Sequence, residues 1–246
     1  MSKNVEVLLR AKEQTELLQP KDVTQETSNA RRPSIRSGPV GREEEVELVQ
    51  RVFLLPAYEV PRVVVFCGVE HGDGAVGICA RAGLNLAKQT GLSVCVVEGD
   101  LYSPALHKYF GVDNIRGLTD AVLEPGPIRN FVHCLPGSNL SVLSGGSRCE
   151  EAQALLKSDR FRSRIAELRA EFSYVIVDGP PVSRHADAMI LGQMADGVIL
   201  VLESNVTRRE TARTAKENLA AANVKMLGAV LNNHTFSIPE TLYRRF

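Results

Sequence analysis

The chain alternates short, unbroken apolar runs with longer stretches in which apolar residues recur every three or four positions. Runs at residues 63–67 (VVVFC), 93–97, 131–135, 140–143, 174–178, 197–202 and 225–231 predict strands. Several lack polar interruption, as expected where a strand is covered on both faces. Between them, residues 75–89, 153–172 and 207–222 carry helical spacing. Such alternation predicts an α/β fold: a doubly wound, mostly parallel sheet with helices on both faces. Ligands of such sheets gather at the carboxyl ends of the strands, where Gly68, Glu98, Asp178 and Asn232 fall.

Two segments precede this pattern. Residues 1–41 hold no sustained periodicity and turn rich in Pro, Ser, Thr, Gln and Arg after position 19, which predicts a flexible leader before one domain spanning 42–246. Residues 42–55, REEEVELVQRVFLL, place Val46, Val49, Val52 and Phe53 on one face behind an acidic first turn, predicting a helix for docking or oligomerisation.

Charge narrows the partners little. Lys plus Arg and Asp plus Glu each total 29, so no whole-chain field draws the protein to nucleic acid or an anionic membrane. No apolar run approaches the roughly 18–20 residues that span a bilayer, and the opening residues lack the apolar segment of a signal peptide. Direct membrane insertion is therefore not expected, and a membrane role would come through a partner. The 5 cysteines form no C-x-x-C pair and fall mostly in apolar runs, which predicts reduced, buried thiols in a cytoplasmic protein.

The most informative stretch is VVVFC-GVEHGDG-AVG. A buried-strand run ends at Gly68, and Gly72 and Gly74 lead into a helix, the architecture of a phosphate-binding loop. In the working motif G-x-x-x-x-G-K-[ST], the lysine reaches the β/γ-phosphates and the hydroxyl ligates Mg2+. The two positions after Gly74 hold Ala75 and Val76. Three carboxylates also follow strands: Glu98 and Asp100 in VVEGDLYSP, and Asp178 in YVIVDGPPV. A strand-terminal carboxylate is fixed by its sheet and is suited to hold Mg2+ or its water, though the same residues also suit an exposed turn closed by Pro180 and Pro181.

In order and spacing, these motifs resemble the cytoplasmic P-loop tyrosine kinases of capsular and exopolysaccharide synthesis, within the septum-positioning and partition ATPase superfamily. The resemblance covers residues 42–233. It rests on GVEHGDG, where the family has a Pro-Gly-Glu-Gly-like turn, and on EGDLYSPALHKYFGV, which is similar to the family's Asp-x-Asp-Leu-Arg-x-Pro-x-x-His-x-x-Phe. GLTDAVL, VDGPPV, DGVILVLESNVTRRETA and GAVLN follow in order. The resemblance implies that Gly72, Asp73, Gly74, Ala75 and Val76 line the phosphate loop. It makes Glu98 and Asp100 the paired catalytic acids, Asp178 and Asp100 the Mg2+-associated acids, and Asn232 a base-contacting amide. Pro104 and His107 match structural landmarks. The implied cofactors are ATP or ADP with Mg2+. The implied partners are an inner-membrane polysaccharide chain-length (co-polymerase) protein and further copies of the chain in a homo-oligomer. The implied place is the inner face of the plasma membrane.

The departures share one direction. The loop lysine is Ala75, the hydroxyl is Val76, the first of the paired acids is Glu98, and the expected arginine is Tyr102. A hydrogen bond to a charged group is worth about 1.5–3 kcal/mol, so loss of the lysine alone would cost roughly tenfold to a hundredfold in nucleotide affinity. The foremost expectation is a degenerate member that works as a regulator or scaffold. The alternative is an active autokinase with a relocated cation. Arg81, Arg208 and Arg209 are candidates for it, whereas Lys88 is about 20 Å along the helix and too far. A partition-type positioning protein is the third reading. The resemblance also places a lone tail tyrosine, Tyr243, where family kinases carry acceptor tyrosines.

Overall fold

The computed structural model describes residues 4–8, 43–55 and 60–234. Its strands are β1 (Asn4–Leu8), β2 (Val63–Gly68), β3 (Val94–Glu98), β4 (His133–Cys134), β5 (Leu140–Leu143), β6 (Tyr174–Gly179), β7 (Gly197–Glu203) and β8 (Met226–His234). They form one sheet in the order β1-β8-β7-β2-β6-β3-β5-β4. The neighbours from β8 to β5 run parallel, and β1 and β4 pair antiparallel at the two edges. The predicted doubly wound architecture is therefore the observed one.

Helices cover both faces. On one side lie α1 (Glu43–Val49), α2 (Ala75–Thr90) and α3 (Leu106–Phe110); on the other lie α4 (Leu118–Leu123), α5 (Ala152–Lys157), α6 (Asp159–Glu171), α7 (Asp187–Met194) and α8 (Arg209–Ala221). Strand β2 shows why its sequence lacks polar alternation. Val63, Val65 and Cys67 enter one apolar core while Val64 and Phe66 enter the other. Each large side chain buried in this way contributes roughly 1.5–3 kcal/mol.

Four expectations change. Residues 4–8, placed in the flexible leader, form β1. Their alternating N-V-E-V sequence suits an edge strand, and pairing with β8 covers an otherwise open edge. The rest of the leader and Tyr243 lie outside the described residues. The predicted docking helix is α1, continued by a π-helical turn at Gln50–Leu54, but Leu48, Val49, Val52 and Phe53 pack with Ile78, Cys79 and Leu86 in the chain's own core. Its apolar face is consumed internally. The helix predicted over 153–172 breaks at Ser158, whose hydroxyl accepts the Phe161 N–H at 3.1 Å and starts α6. Finally, Cys67, Cys79 and Cys95 are buried as expected, but Cys134 is exposed on the edge strand β4 and Cys149 is half-buried.

Candidate functional site

At the carboxyl end of β2 the chain turns through the glycine loop and enters α2. Gly72 (φ +98°) and Gly74 (φ +79°) adopt left-handed backbone, which favours glycine. The first helical bond runs from Ile78 N–H to the Gly74 carbonyl, so the amides of Ala75, Val76 and Gly77 have no intrahelical acceptor and carry the positive end of the helix dipole. Ala75 and Val76 thus occupy the first two helical positions. Neither side chain supplies charge or a hydroxyl.

Side chains hold the loop. The Asp73 carboxylate accepts the N–H groups of Val69 and Glu70, each at 2.8 Å, and the Thr207 hydroxyl at 3.4 Å. Burial raises the Asp73 pKa, the two amides oppose the rise, and the charges of Glu203 and Glu70 add to it. Asn232, at the end of β8, donates its side-chain N–H to the Asp73 carbonyl at 3.0 Å. A Cβ on Gly74 would stand 2.3 Å from that amide nitrogen. The residue expected to meet a base therefore braces the loop backbone.

The acids converge because β6 lies between β2 and β3. Glu98 and Asp178 are paired in register on adjacent strands and are both buried. One oxygen of Glu98 accepts the N–H groups of Ala105 and Leu106, each at 2.7 Å. Its other oxygen, and Oδ1 of Asp178, have no conventional partner. Burial pushes Glu98 up to about 7, with the Asp100 charge adding to the rise and the Ala105 and Leu106 amides opposing it. Burial drives Asp178 well above the carboxylate range, and the charges of Glu98 and Asp100 push it further. These are the marks of two carboxyls that share a proton. Asp100 turns into its own loop, accepting the N–H groups of Tyr102 and Ser103 at 3.1 Å. Among the described residues no three His, Cys, Asp or Glu side chains converge as a metal site.

Arg81 folds back along α2, with its guanidinium 3.0 Å from the position of a Gly77 Cβ, and pairs with the buried Glu45 of α1. Arg208 and Arg209 are exposed at the start of α8. His107 is half-buried with an unpartnered Nδ1, and burial lowers its pKa.

Three features escaped the sequence reading. The Tyr102 hydroxyl donates to the buried Asp187 at 2.7 Å, and its ring stacks on His185 with centroids 4.1 Å apart. Burial and the Asp187 contact lift the Tyr102 pKa to about 12. Asp120 clamps two loops: it accepts from Gly117 N–H, Ser147 N–H and Ser147 Oγ at 2.9, 3.0 and 2.6 Å. Arg148 and Arg184 stand exposed on the loops after β5 and β6. For the two arginines the only signal in the sequence was a position a few residues beyond predicted strand ends; Asp120 falls within the GLTDAVL motif, which carries no trace of its Ser147 partner.

Known proteins share this fold. The tyrosine-protein kinase YwqD of Bacillus subtilis is 35% identical over 166 residues, covering 68% of this chain and 70% of YwqD. The chain belongs to the bacterial tyrosine-protein kinase family. A second family member, CpsD of Streptococcus pneumoniae serotype 4, is 28% identical over 178 residues, covering 72% of this chain and 78% of CpsD. No protein-family model matches the chain. Among solved structures, the kinase domain of VpsO superposes with a TM-score of 0.65 at 26% identity, over 71% of this chain and 86% of that one. The chimerical protein CapA2B2 shares the fold at a TM-score of 0.75, with 24% identity over 81% and 87% of the two chains. The fold extends beyond the tyrosine kinases to the septum site-determining protein MinD of Pyrococcus horikoshii, solved with Mg-ADP, at a TM-score of 0.58 and 20% identity over 68% of each chain.

Proposed function

We propose that this member of the family is a non-hydrolysing regulator or scaffold of exopolysaccharide or capsule synthesis. It would act at the inner face of the plasma membrane beside the protein that sets polysaccharide chain length. The observation that carries the reading is the pair Ala75 and Val76 at the first two positions of α2, where a lysine and a hydroxyl would hold a triphosphate and its metal.

The residues do not fit Mg–triphosphate. Phosphoryl transfer depends on positioning and on charge stabilisation, and the loop offers backbone amides alone. Of the acids expected to face a metal, Asp100 turns one oxygen to the Tyr102 and Ser103 amides, and among the described residues no three His, Cys, Asp or Glu side chains converge around Asp178 as a metal site. Binding through the folded surface, not turnover, would be the output.

A second reading is favoured by one observation. Arg81 lies over the first turn of α2, with its guanidinium beside Gly77, two residues beyond the position a loop lysine would hold. Its pairing with Glu45 holds it on the α1 side, which weighs for the scaffold. Calorimetric titration with Mg-ATP and Mg-ADP separates the two. The scaffold reading expects no binding by the parent up to millimolar nucleotide, and binding created by Ala75→Lys combined with Val76→Ser. Phosphotyrosine formed on the purified protein from Mg-ATP, and abolished by Asp178→Asn, overturns it.

A further inference from the structure

The loops that follow β7, β2, β6, β3 and β5 share one edge of the sheet, because these strands are parallel. Elsewhere in the fold, arginines such as Arg81, Arg129, Arg164 and Arg169 are tied to carboxylates; the cations along this edge are used differently. Arg208 and Arg209 follow β7, Arg184 follows β6 and Arg148 follows β5. All four are exposed, and among the described residues they make no side-chain ion pair. Between them lies an aromatic platform: Tyr102, 47% exposed, stacked on His185, the residue next to Arg184.

We infer that this edge is a docking surface for a phosphotyrosine-bearing segment of another protein. Guanidinium groups bind phosphate with charge-assisted, two-pronged hydrogen bonds, and an exposed ring pair offers a face to an aryl group. Arg184 beside the Tyr102–His185 stack supplies both within two neighbouring loops. Arg148 and the Arg208–Arg209 pair flank it. Strands spaced about 4.8 Å apart put the β7 and β5 loops roughly 19 Å apart, the span of about six extended residues.

The nearby acids oppose an anion only partly. Glu98, Asp100, Asp178 and Asp187 are all buried; Asp100 is bonded to the Tyr102 and Ser103 amides, and Asp187 has one oxygen bonded to the Tyr102 hydroxyl. Glu203 accepts a hydrogen bond from Asn233. The exposed Glu150 and Glu151 follow Arg148 towards α5 and favour a phosphate seated on the Arg184 side. The aryl platform is what distinguishes this surface from a general anion patch, which would not separate an aromatic phosphate from an aliphatic one.

The inference rests on the reading that Mg-ATP does not fill the neighbouring loop. The full chain is titrated, by fluorescence anisotropy, with one labelled peptide in phosphotyrosine, tyrosine and phosphoserine forms, with inorganic phosphate and anionic-lipid vesicles as competitors. The phosphotyrosine form binds at least roughly tenfold tighter than either other form, and Arg184→Ala removes roughly tenfold or more of that affinity. Arg184 and Arg148 are exposed, so their alanine variants keep the fold. Equal binding of the phosphotyrosine and phosphoserine forms overturns the inference, as does an unaltered Arg184→Ala or vesicles that outcompete the peptide. Mg-ATP binding measured in the same samples, with peptide selectivity unchanged, overturns the scaffold reading alone.

Discussion

Replacing Glu98 with glutamine tests the shared proton at the centre of the site. Glu98 is fully buried on β3 opposite Asp178 on β6, and burial lifts it from the usual 4.5 to about 7. A carboxyl whose folded pKa exceeds its unfolded value binds its proton more tightly when folded. Its stabilising contribution is complete below the unfolded pKa and is lost as pH rises through the folded one. Between about pH 4.5 and 7 the native protein therefore loses roughly 3 kcal/mol at this residue. Glutamine keeps an oxygen to accept the Ala105 and Leu106 amides, and it places an N–H donor towards Asp178 that does not titrate. Urea denaturation of parent and Glu98→Gln at pH 5, 6.5 and 8 should show an advantage for the variant that is smallest at pH 5, grows up to about pH 7 and then levels off. Parallel stability curves, with a constant offset from pH 5 to 8, would refute the shared-proton account. Asp178 would follow its partner, because part of its own elevation comes from the Glu98 charge.

Gly74→Ala should destabilise the protein by more than about 1 kcal/mol, because φ is +79° and the new methyl would meet the Asn232 amide at 2.3 Å; a thermal-melt midpoint unchanged within a degree counts against the loop geometry. Tyr102→Phe leaves the buried Asp187 without its hydroxyl donor and should cost roughly 1–3 kcal/mol in chemical denaturation, while the ring stack on His185 survives. In Asp120, burial alone would raise the pKa, but hydrogen bonds from Ser147 and Gly117 bring it below the usual range. Its contribution is thus present at neutral pH and lost as pH falls through that depressed value. Asp120→Asn should be destabilised at pH 7, with the deficit shrinking in acid; a deficit independent of pH would contradict the assignment.

The parts of the fold legible in the sequence are those with local signatures. Continuous apolar runs gave β2, β3, β6 and β7 to within a residue or two of their bounds, and the glycine loop gave the start of α2. The helices α3, α4 and α7 were missed because 5 to 8 residues hold too few turns to display a 3.6-residue period. Site residues divide the same way. Glu98, Asp100 and Asp178 stood out as acids at strand ends. That Glu98 meets Asp178, rather than Asp100 meeting it, depends on β6 lying beside β3, an order the sequence does not carry. The Tyr102–Asp187 contact joins residues 85 positions apart and had no local trace. The apolar face of α1 was read as a docking face and packs inward, because an apolar helical face reads alike whether it meets a partner or its own domain.

The retained shape of the glycine loop has an internal cause, which separates it from retained chemistry. A phosphate would organise such a loop by collecting its N–H groups. Here Asp73 takes those of Val69 and Glu70, Thr207 bonds the same carboxylate, and Asn232 bonds the carbonyl next to Gly74. The Val69 N–H group also meets the Val201 carbonyl, and the Val69 carbonyl accepts from Ser183, so the β6 and β7 sides of the sheet both fasten the loop. A loop supported in this way keeps its shape through its own hydrogen bonds, so Ala75 and Val76 at the lysine and hydroxyl positions do not cost the architecture. The same links join the glycine loop to the ends of β6, β7 and β8, where Arg184, Arg208 and Arg209 stand.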